Sequence, residues 1–270
     1  EHGDLPQIRW MKLRWLRLLS ERQQWPLFLK YYSPELNFTE LDCRHAHYLV
    51  LSNQLPAAYA SAEQLWLSAR SQPNACDPVF DHWRASEHFS EDKIWQRLKL
   101  ATDAGNYGVV KYLVGLLSTQ QQHGQRLLEI AQQPTRLKQT QHYTGNDEKT
   151  SEIVALGLRK LARQDLEASL QLLQHYQQRI TFTAADQLAV GYDIGLLLAK
   201  RFDDRALPVM QKYDPNLTSS NLTEWRVRLL LRLSRWDEAY QLIQRLPPEL
   251  ADSNRWRYWL ARSLQLAQPN

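Results

Sequence analysis

Four short turns in this chain resemble one another, and their spacing limits the fold more than any other feature. They are Ala104-Gly-Asn-Tyr-Gly-Val-Val110, Ala162-Arg-Gln-Asp-Leu-Glu-Ala168, Lys200-Arg-Phe-Asp-Asp-Arg-Ala206 and Ser234-Arg-Trp-Asp-Glu-Ala239. Each follows a Leu- or Ala-rich stretch, turns within a few polar residues, and enters the next helix on a small or apolar residue. Ala168, Ala206 and Ala239 are 38 and 33 residues apart, near the period of tetratricopeptide-type helix pairs. A small residue there lets two antiparallel helices approach closely, and each pair then buries its remaining face against the next pair. The expected fold class is all-α: an α-superhelix, or solenoid, of antiparallel helix pairs over residues 1–270. The competing reading is an ordinary compact helical bundle.

Composition supports helices. Glycine numbers 9, where average usage gives about 19. Leu, Ala, Gln, Arg and Glu dominate, all good helix formers. The first segment, Leu5 to Tyr32, reads as a helix broken near Ser20, then a short helix over Trp25 to Tyr31. It is apolar on more than one side, which predicts a helix packed between neighbours. Helices are then expected over Leu41–Leu51 and Ala57–Ala69. Asp77 before Pro78 reads as a capped helix start. Ser90 reads as the cap of a helix that turns Ile94, Trp95, Leu98 and Ala101 inward. Gly105-Asn106 makes a tight turn into Val109–Leu117. Residues 118–150, rich in Gln, His and Thr, are expected to be weakly organised, with a short helix at Arg126–Gln132. Later helices are expected over Ser151–Leu161, Asp165–Gln178, Thr183–Lys200, Asp203–Tyr213, Leu222–Leu233, Trp236–Leu246 and Asp252–Leu266.

The net charge of +4 comes from basic residues scattered among acids, not from a stripe, so a nucleic-acid partner finds no support. No apolar run reaches the ~18 residues of a membrane span. The start, Glu1-His2-Gly3-Asp4, has neither the basic nor the apolar region of a signal peptide. No cofactor motif is present: the chain has no phosphate-cradling glycine loop and no nucleophile elbow. Acids such as Glu87, Glu91 and Asp92, or Asp203-Asp204 and Asp237-Glu238, fall at helix starts, where the helix dipole accounts for them. The N-x-T sequons at Asn37, Asn216 and Asn221 matter only in a eukaryotic secretory pathway. No catalytic residue and no metal site is assigned. Cys43 with His47 makes an i, i+4 pair, but four ligands at short spacings are lacking. Cys43 and Cys76 read either as a disulfide, if the protein is exported, or as two buried thiols.

The stretch Leu65-Trp-Leu-Ser-Ala-Arg-Ser-Gln-Pro-Asn-Ala-Cys-Asp-Pro-Val-Phe-Asp-His-Trp-Arg-Ala-Ser86, followed by Trp95-Gln-Arg-Leu-Lys-Leu-Ala-Thr-Asp-Ala-Gly-Asn-Tyr107, resembles the soluble lytic murein transglycosylases of Gram-negative bacteria. Trp10–Tyr31, Leu41-Asp-Cys43 and Ser253-Asn-Arg-Trp-Arg-Tyr-Trp-Leu-Ala-Arg262 extend the likeness, and 118–150 matches least. The residues that carry it are Trp66, Ser71, Pro73, Asp77, Trp83, Gly105, Asn106, Trp256, Trp259 and Arg262, all given structural roles. In that family a superhelical, U-shaped domain precedes a lysozyme-like catalytic domain.

The resemblance implies several things about this chain. The family is periplasmic, which implies a Cys43–Cys76 disulfide in an oxidising compartment. The family's catalytic glutamate lies in a Glu-Ser dipeptide followed by a Gly-Leu-Met-Gln segment. Neither motif occurs here, so the lysozyme-like domain is expected beyond residue 270. The expected function is that of the non-catalytic superhelical domain of such an enzyme. It shapes the access of peptidoglycan glycan strands and contacts the strand or other cell-wall enzymes. The parent enzyme cleaves the MurNAc–GlcNAc bond with 1,6-anhydro-MurNAc formation. The alternatives are a stand-alone tetratricopeptide-like periplasmic solenoid that binds proteins, and an intact enzyme with a pocket of scattered residues.

Overall fold

The structure, a computed structural model, describes residues 6–267; Leu5, where the sequence reading starts the first helix, lies outside them. Among the described residues the regular structure is entirely helical. The chain divides into two compact units, Glu1–Leu128 and Glu129–Asn270.

In the first unit, α1 (Pro6–Glu21) and α2 (Trp25–Tyr31) lead into α3 (Thr39–Leu51), α4 (Leu55–Trp66), α5 (Asp77–Arg84), α6 (Glu91–Asp103) and α7 (Tyr107–Leu116); α8 (Gln121–Gln132) carries the division. α3 packs on α4, α6 on α7, and α5 against both α3 and α4. Leu13, Leu16 and Leu19 of α1 join Phe28 and Leu41 in one apolar cluster. α1 is covered on that face only. Ile8, Met11, Trp15 and Leu18, its second apolar stripe, remain exposed, so the described residues do not sandwich the helix.

The second unit stacks as a repeat. Its pairs are α9 (Glu148–Gln164) with α10 (Leu166–Gln177), α11 (Ala184–Lys200) with α12 (Ala206–Tyr213), and α13 (Ser220–Arg232) with α14 (Trp236–Gln244). The first helix of each pair also packs on the first helix of the next, α9 on α11 and α11 on α13. This neighbour-to-neighbour packing is the mark of stacked helix pairs. α15 (Pro248–Ala251), a single turn that the sequence reading lacks, precedes α16 (Asn254–Ala267), which packs on α14. Trp256 of α16 is buried with Leu217, Val227, Leu230, Ala239, Leu242, Ile243 and Leu246.

Three of the four matching turns, and two earlier helix ends, share a physical device, while in the Ala162–Ala168 turn Asp165 is extended at φ −144° and its side chain caps α10 instead. Gln23, Asn53, Gly105, Phe202 and Ser234 all have positive φ. In each case the following residue's N–H donates to the carbonyl five positions back: Gln24 to Leu19, Gln54 to Leu49, Asn106 to Ala101, Asp203 to Leu198 and Arg235 to Leu230, at 2.8–3.0 Å. This left-handed helix ending satisfies carbonyls that the last turn leaves orphaned. Only Gly105 adopts it without steric cost; the other four residues pay roughly 1 kcal/mol each for the left-handed conformation.

The small-residue positions need one correction. Ala206 and Ala239 are fully buried, but Ala168 is only half-buried. The close approach in α10 is made by Ser169, whose hydroxyl donates to the Leu158 carbonyl at 2.8 Å. Gly191 is the tightest contact in α11, where a Cβ would land on Tyr213 of α12.

Two caps also differ from expectation. Asp77 is the first residue of α5 and caps nothing, because a 3-10 turn over Asn74–Cys76 runs directly into the helix. Ser90 occupies the cap position of α6 but makes no side-chain cap bond. Residues 118–150 hold α8 and 3-10 turns over Pro134–Lys138 and Thr140–His142. Leu127, Ile130, Leu137 and Tyr143 are buried there, and the Tyr176 hydroxyl donates to the Leu137 carbonyl at 2.9 Å. A few well-spaced apolar residues anchor an otherwise polar segment.

Candidate functional site

α4 ends at Trp66, and the chain then runs irregularly to the 3-10 turn at Asn74–Cys76. Irregular backbone beside a core needs partners for its carbonyls. Three consecutive ones receive side-chain donors from α6 and from the turn that follows it. Arg97 Nε donates to Ser68 O at 3.2 Å, Asn106 Nδ2 to Ala69 O at 2.8 Å, and Arg97 Nη2 to Arg70 O at 3.1 Å. Gln72 Nε2 reaches back to Leu65 O at 2.9 Å. The positive φ of Gly105 (+74°) sets up the turn that delivers Asn106. Cys76 is bonded to Cys43 of α3, with Cα atoms 4.7 Å apart and both side chains buried. As a disulfide partner, Cys43 is no thiolate ligand beside His47. Among the described residues, no cluster of His, Cys, Asp or Glu is arranged to hold a metal.

Trp66 is the hub of this region. It is buried, and its indole N–H donates to Lys93 O at 2.9 Å. Phe80, Trp83 and Phe89 meet its ring edge-on at centroid distances of 5.3, 6.1 and 5.5 Å. Such edge-to-face pairs add to the stabilisation from burial. On another side the Arg97 guanidinium lies 4.4 Å from the ring centroid, a cation–π contact.

A cleft of about 450 Å³ opens here. Its wall includes Trp66, Ser71 and Asp77 of the sequence motif, together with Arg84, Arg97 and Tyr112. Arg84 is held by Asp81 through Nη2 and donates from Nη1 to the Tyr112 hydroxyl at 3.3 Å; its Nε is buried and has no partner. Asp77 is exposed at the rim. Burial pushes the Arg97 guanidinium below its ordinary range, opposed in part by Tyr112. The cleft offers two guanidinium groups against aromatic walls, an arrangement suited to holding a polar ligand by hydrogen bonds.

The motif residues thus divide. Trp66, Ser71 and Asp77 meet in the cleft. Pro73 precedes the 3-10 turn, Trp83 backs the Trp66 ring, and Gly105 and Asn106 tie the turn after α6 to the irregular segment. Trp256 and Trp259 belong to the apolar cluster of the second unit, and Arg262 donates to Gln265 at 2.7 Å on its surface. The sequence reading missed Arg84, Arg97 and Tyr112. One signal for Arg97 existed: it lies three residues after Ile94, on the face of α6 assigned to the core, where an unpaired arginine is out of place.

A sequence profile described as Cucumovirus coat protein matches residues 43–140, about a third of the chain. Full-length relatives say more. The soluble lytic murein transglycosylases of Salmonella typhimurium strain LT2 and Escherichia coli strain K12 are each 30% identical over 95% of this chain and 40% of their own length. A crystal structure of an inactive mutant of lytic transglycosylase Slt from Pseudomonas aeruginosa superposes with a TM-score of 0.94 at 52% identity, over 100% of this chain and 44% of that one. The chain is a relative of the soluble lytic murein transglycosylases. The 70-kDa soluble lytic transglycosylase in complex with bulgecin A shares the fold at a TM-score of 0.73 and 27% identity, over 96% of this chain and 42% of that one. This chain therefore spans about two-fifths of the length of the transglycosylases it matches. Among its described residues no helix is long and apolar enough to cross a membrane.

Proposed function

We propose that this chain is the non-catalytic superhelical part of a soluble lytic murein transglycosylase. The chemistry then resides in a lysozyme-like domain that follows residue 270. The observation that carries this reading is the likeness to the Pseudomonas aeruginosa enzyme along the whole chain, at 52% identity. In the complete enzyme a single acid/base carboxyl group protonates the glycosidic oxygen between MurNAc and GlcNAc. The sugar's own 6-hydroxyl closes the 1,6-anhydro ring, so no second carboxylate is needed to activate water. The superhelical part shapes the approach of glycan strands and holds them, or docks other wall enzymes. The Cys43–Cys76 disulfide supports a periplasmic site of action, since such bonds persist in oxidising compartments.

A second reading, a periplasmic solenoid that binds proteins without any catalytic domain, draws on the tetratricopeptide-like stacking of α9, α11 and α13. One experiment separates the two. Purified peptidoglycan is incubated with this chain and, in parallel, with the full-length gene product, and soluble 1,6-anhydro muropeptides are measured. Release by the longer protein alone, with binding of the sacculus by this chain, is the expected result. Release by neither protein would leave the protein-binding solenoid as the better account.

A further inference from the structure

We propose that the cleft between α4, α5, α6 and α7 is a receptor for the terminal carboxylate of a short peptide. Arg97 is 4% exposed, yet among the described residues no carboxylate pairs with it; its Nε and Nη2 are spent on the neutral carbonyls of Ser68 and Arg70. A buried guanidinium without a counter-charge is costly, and its remaining donors need an acceptor. Nη1 makes no bond in the protein and is not among the sealed, unpartnered atoms, so it reaches the water of the cleft that Arg97 lines. Arg84 lines the same cleft; its Nε is sealed from it, but Nη1 and Nη2 each carry a second N–H beyond the bonds to the Tyr112 hydroxyl and Asp81. Two guanidinium donors in one cleft match the lone pairs of one carboxylate, the anion whose planar geometry arginine binds best.

The other walls narrow the class. Trp66, Phe80 and Tyr112 offer apolar contact to a small side chain beside the carboxylate. About 450 Å³ lies toward the small end of ligand pockets, enough for one or two residues. Asp77 and Asp81 also line the cleft, and their charge disfavours a polyanion such as a phosphorylated ligand. A peptide end carries a single negative charge next to an amide N–H, which Asp77 can accept. This inference takes only the source of the peptide, the stems of peptidoglycan, from the function proposed above; the receptor chemistry rests on the cleft.

The test titrates the chain with N-acetyl-D-alanyl-D-alanine and, separately, with its C-terminal carboxamide. Binding is followed by NMR of the arginine Nε–H and tryptophan indole N–H signals. The acid is expected to shift the Arg84 Nε–H and Trp66 indole signals saturably, with the amide binding at least 10-fold more weakly. Arg84→Gln should weaken the acid by a similar factor. This variant leaves the Arg97 bonds to the backbone in place, so it tests the site even if Arg97→Gln fails to fold. Equal effects of acid and amide, or no saturable shift at tens of millimolar, would overturn the inference. Sacculus binding is measured in parallel. Chain that binds sacculi but not the acid refutes the receptor and leaves the proposed function standing. Chain that binds the acid but not sacculi supports the receptor and removes its peptidoglycan source.

Discussion

Glu91, at the start of α6, offers the sharpest test of how the polar segment after α7 is held. Its two carboxylate oxygens accept the backbone N–H groups of Ser118 at 2.7 Å, Thr119 at 2.9 Å and Gln120 at 2.9 Å, the Thr119 hydroxyl at 2.8 Å, and the Ser118 hydroxyl. Partial burial by itself pushes this carboxyl up. The hydrogen bonds from Ser118 and Thr119 outweigh it and bring it down to about 2 from an ordinary 4.5. A carboxyl lowered by folding stabilises the fold fully above the unfolded value and loses that contribution as the pH falls from 4.5 through 2. The shift corresponds to an upper limit of ~3.4 kcal/mol, at about 1.36 kcal/mol per unit. Glu91 is only half-buried, so solvent screening reduces this to about 2 kcal/mol.

Glu91→Gln keeps the shape but removes the charge and turns an amide NH₂ toward donors. The amides of Ser118, Thr119 and Gln120 are expected to exchange their hydrogens about 30-fold faster in the variant at pH 6, the equivalent of ~2 kcal/mol of local opening. Amides in the middle of α13 serve as the internal reference and should not change. At pH 2, once intrinsic rates are corrected for, the gap between the two proteins should shrink to a few-fold. Equal exchange at pH 6, or a gap of the same size at both pH values, would refute the carboxylate account.

Three other outcomes follow from the packing. Replacing both Cys43 and Cys76 with serine opens a loop of 33 residues, and chain entropy alone puts the loss at about 4 kcal/mol; denaturant unfolding of the first unit, read by Trp66 fluorescence, should show it, and a loss under ~1 kcal/mol would count against the model. Gly191→Ala drives a methyl group into Tyr213 and should cost roughly 1–3 kcal/mol in the second unit, visible as a lowered calorimetric Tm. Ser234→Gly removes the strain of a non-glycine residue at φ 56° and should stabilise the α13–α14 turn by up to ~1 kcal/mol, whereas a lowered Tm would show that the serine side chain matters there.

Local information was strong enough to read most elements. Leucine and alanine spacing marked α9, α11 and α13, and the inward face Ile94, Trp95, Leu98 and Ala101 is buried as its periodicity requires. The turns were legible as punctuation, but their left-handed geometry was not, because the usual glycine is replaced by Gln23, Asn53, Phe202 and Ser234. The register of the close contacts was misread by one residue in α10, since Ala168 and Ser169 are both small and only the neighbouring helix decides which one faces it.

The cleft shows the same limit more plainly. Trp66, Ser71 and Asp77 stood out as a linear motif, while Arg84, Arg97 and Tyr112 come to it from α5, α6 and α7, and of these only Arg97, on the inward face of α6, carries any signal in one sequence. The sequence by itself determined an all-helical chain, its repeat of helix pairs and its kinship, because these depend on periodicity and on short contiguous motifs. Only the tertiary structure decided which carbonyls after α4 need donors, that Arg97 is buried without a carboxylate, and which guanidinium donors remain unspent. Those facts depend on distances between groups some thirty residues apart, which no local pattern encodes.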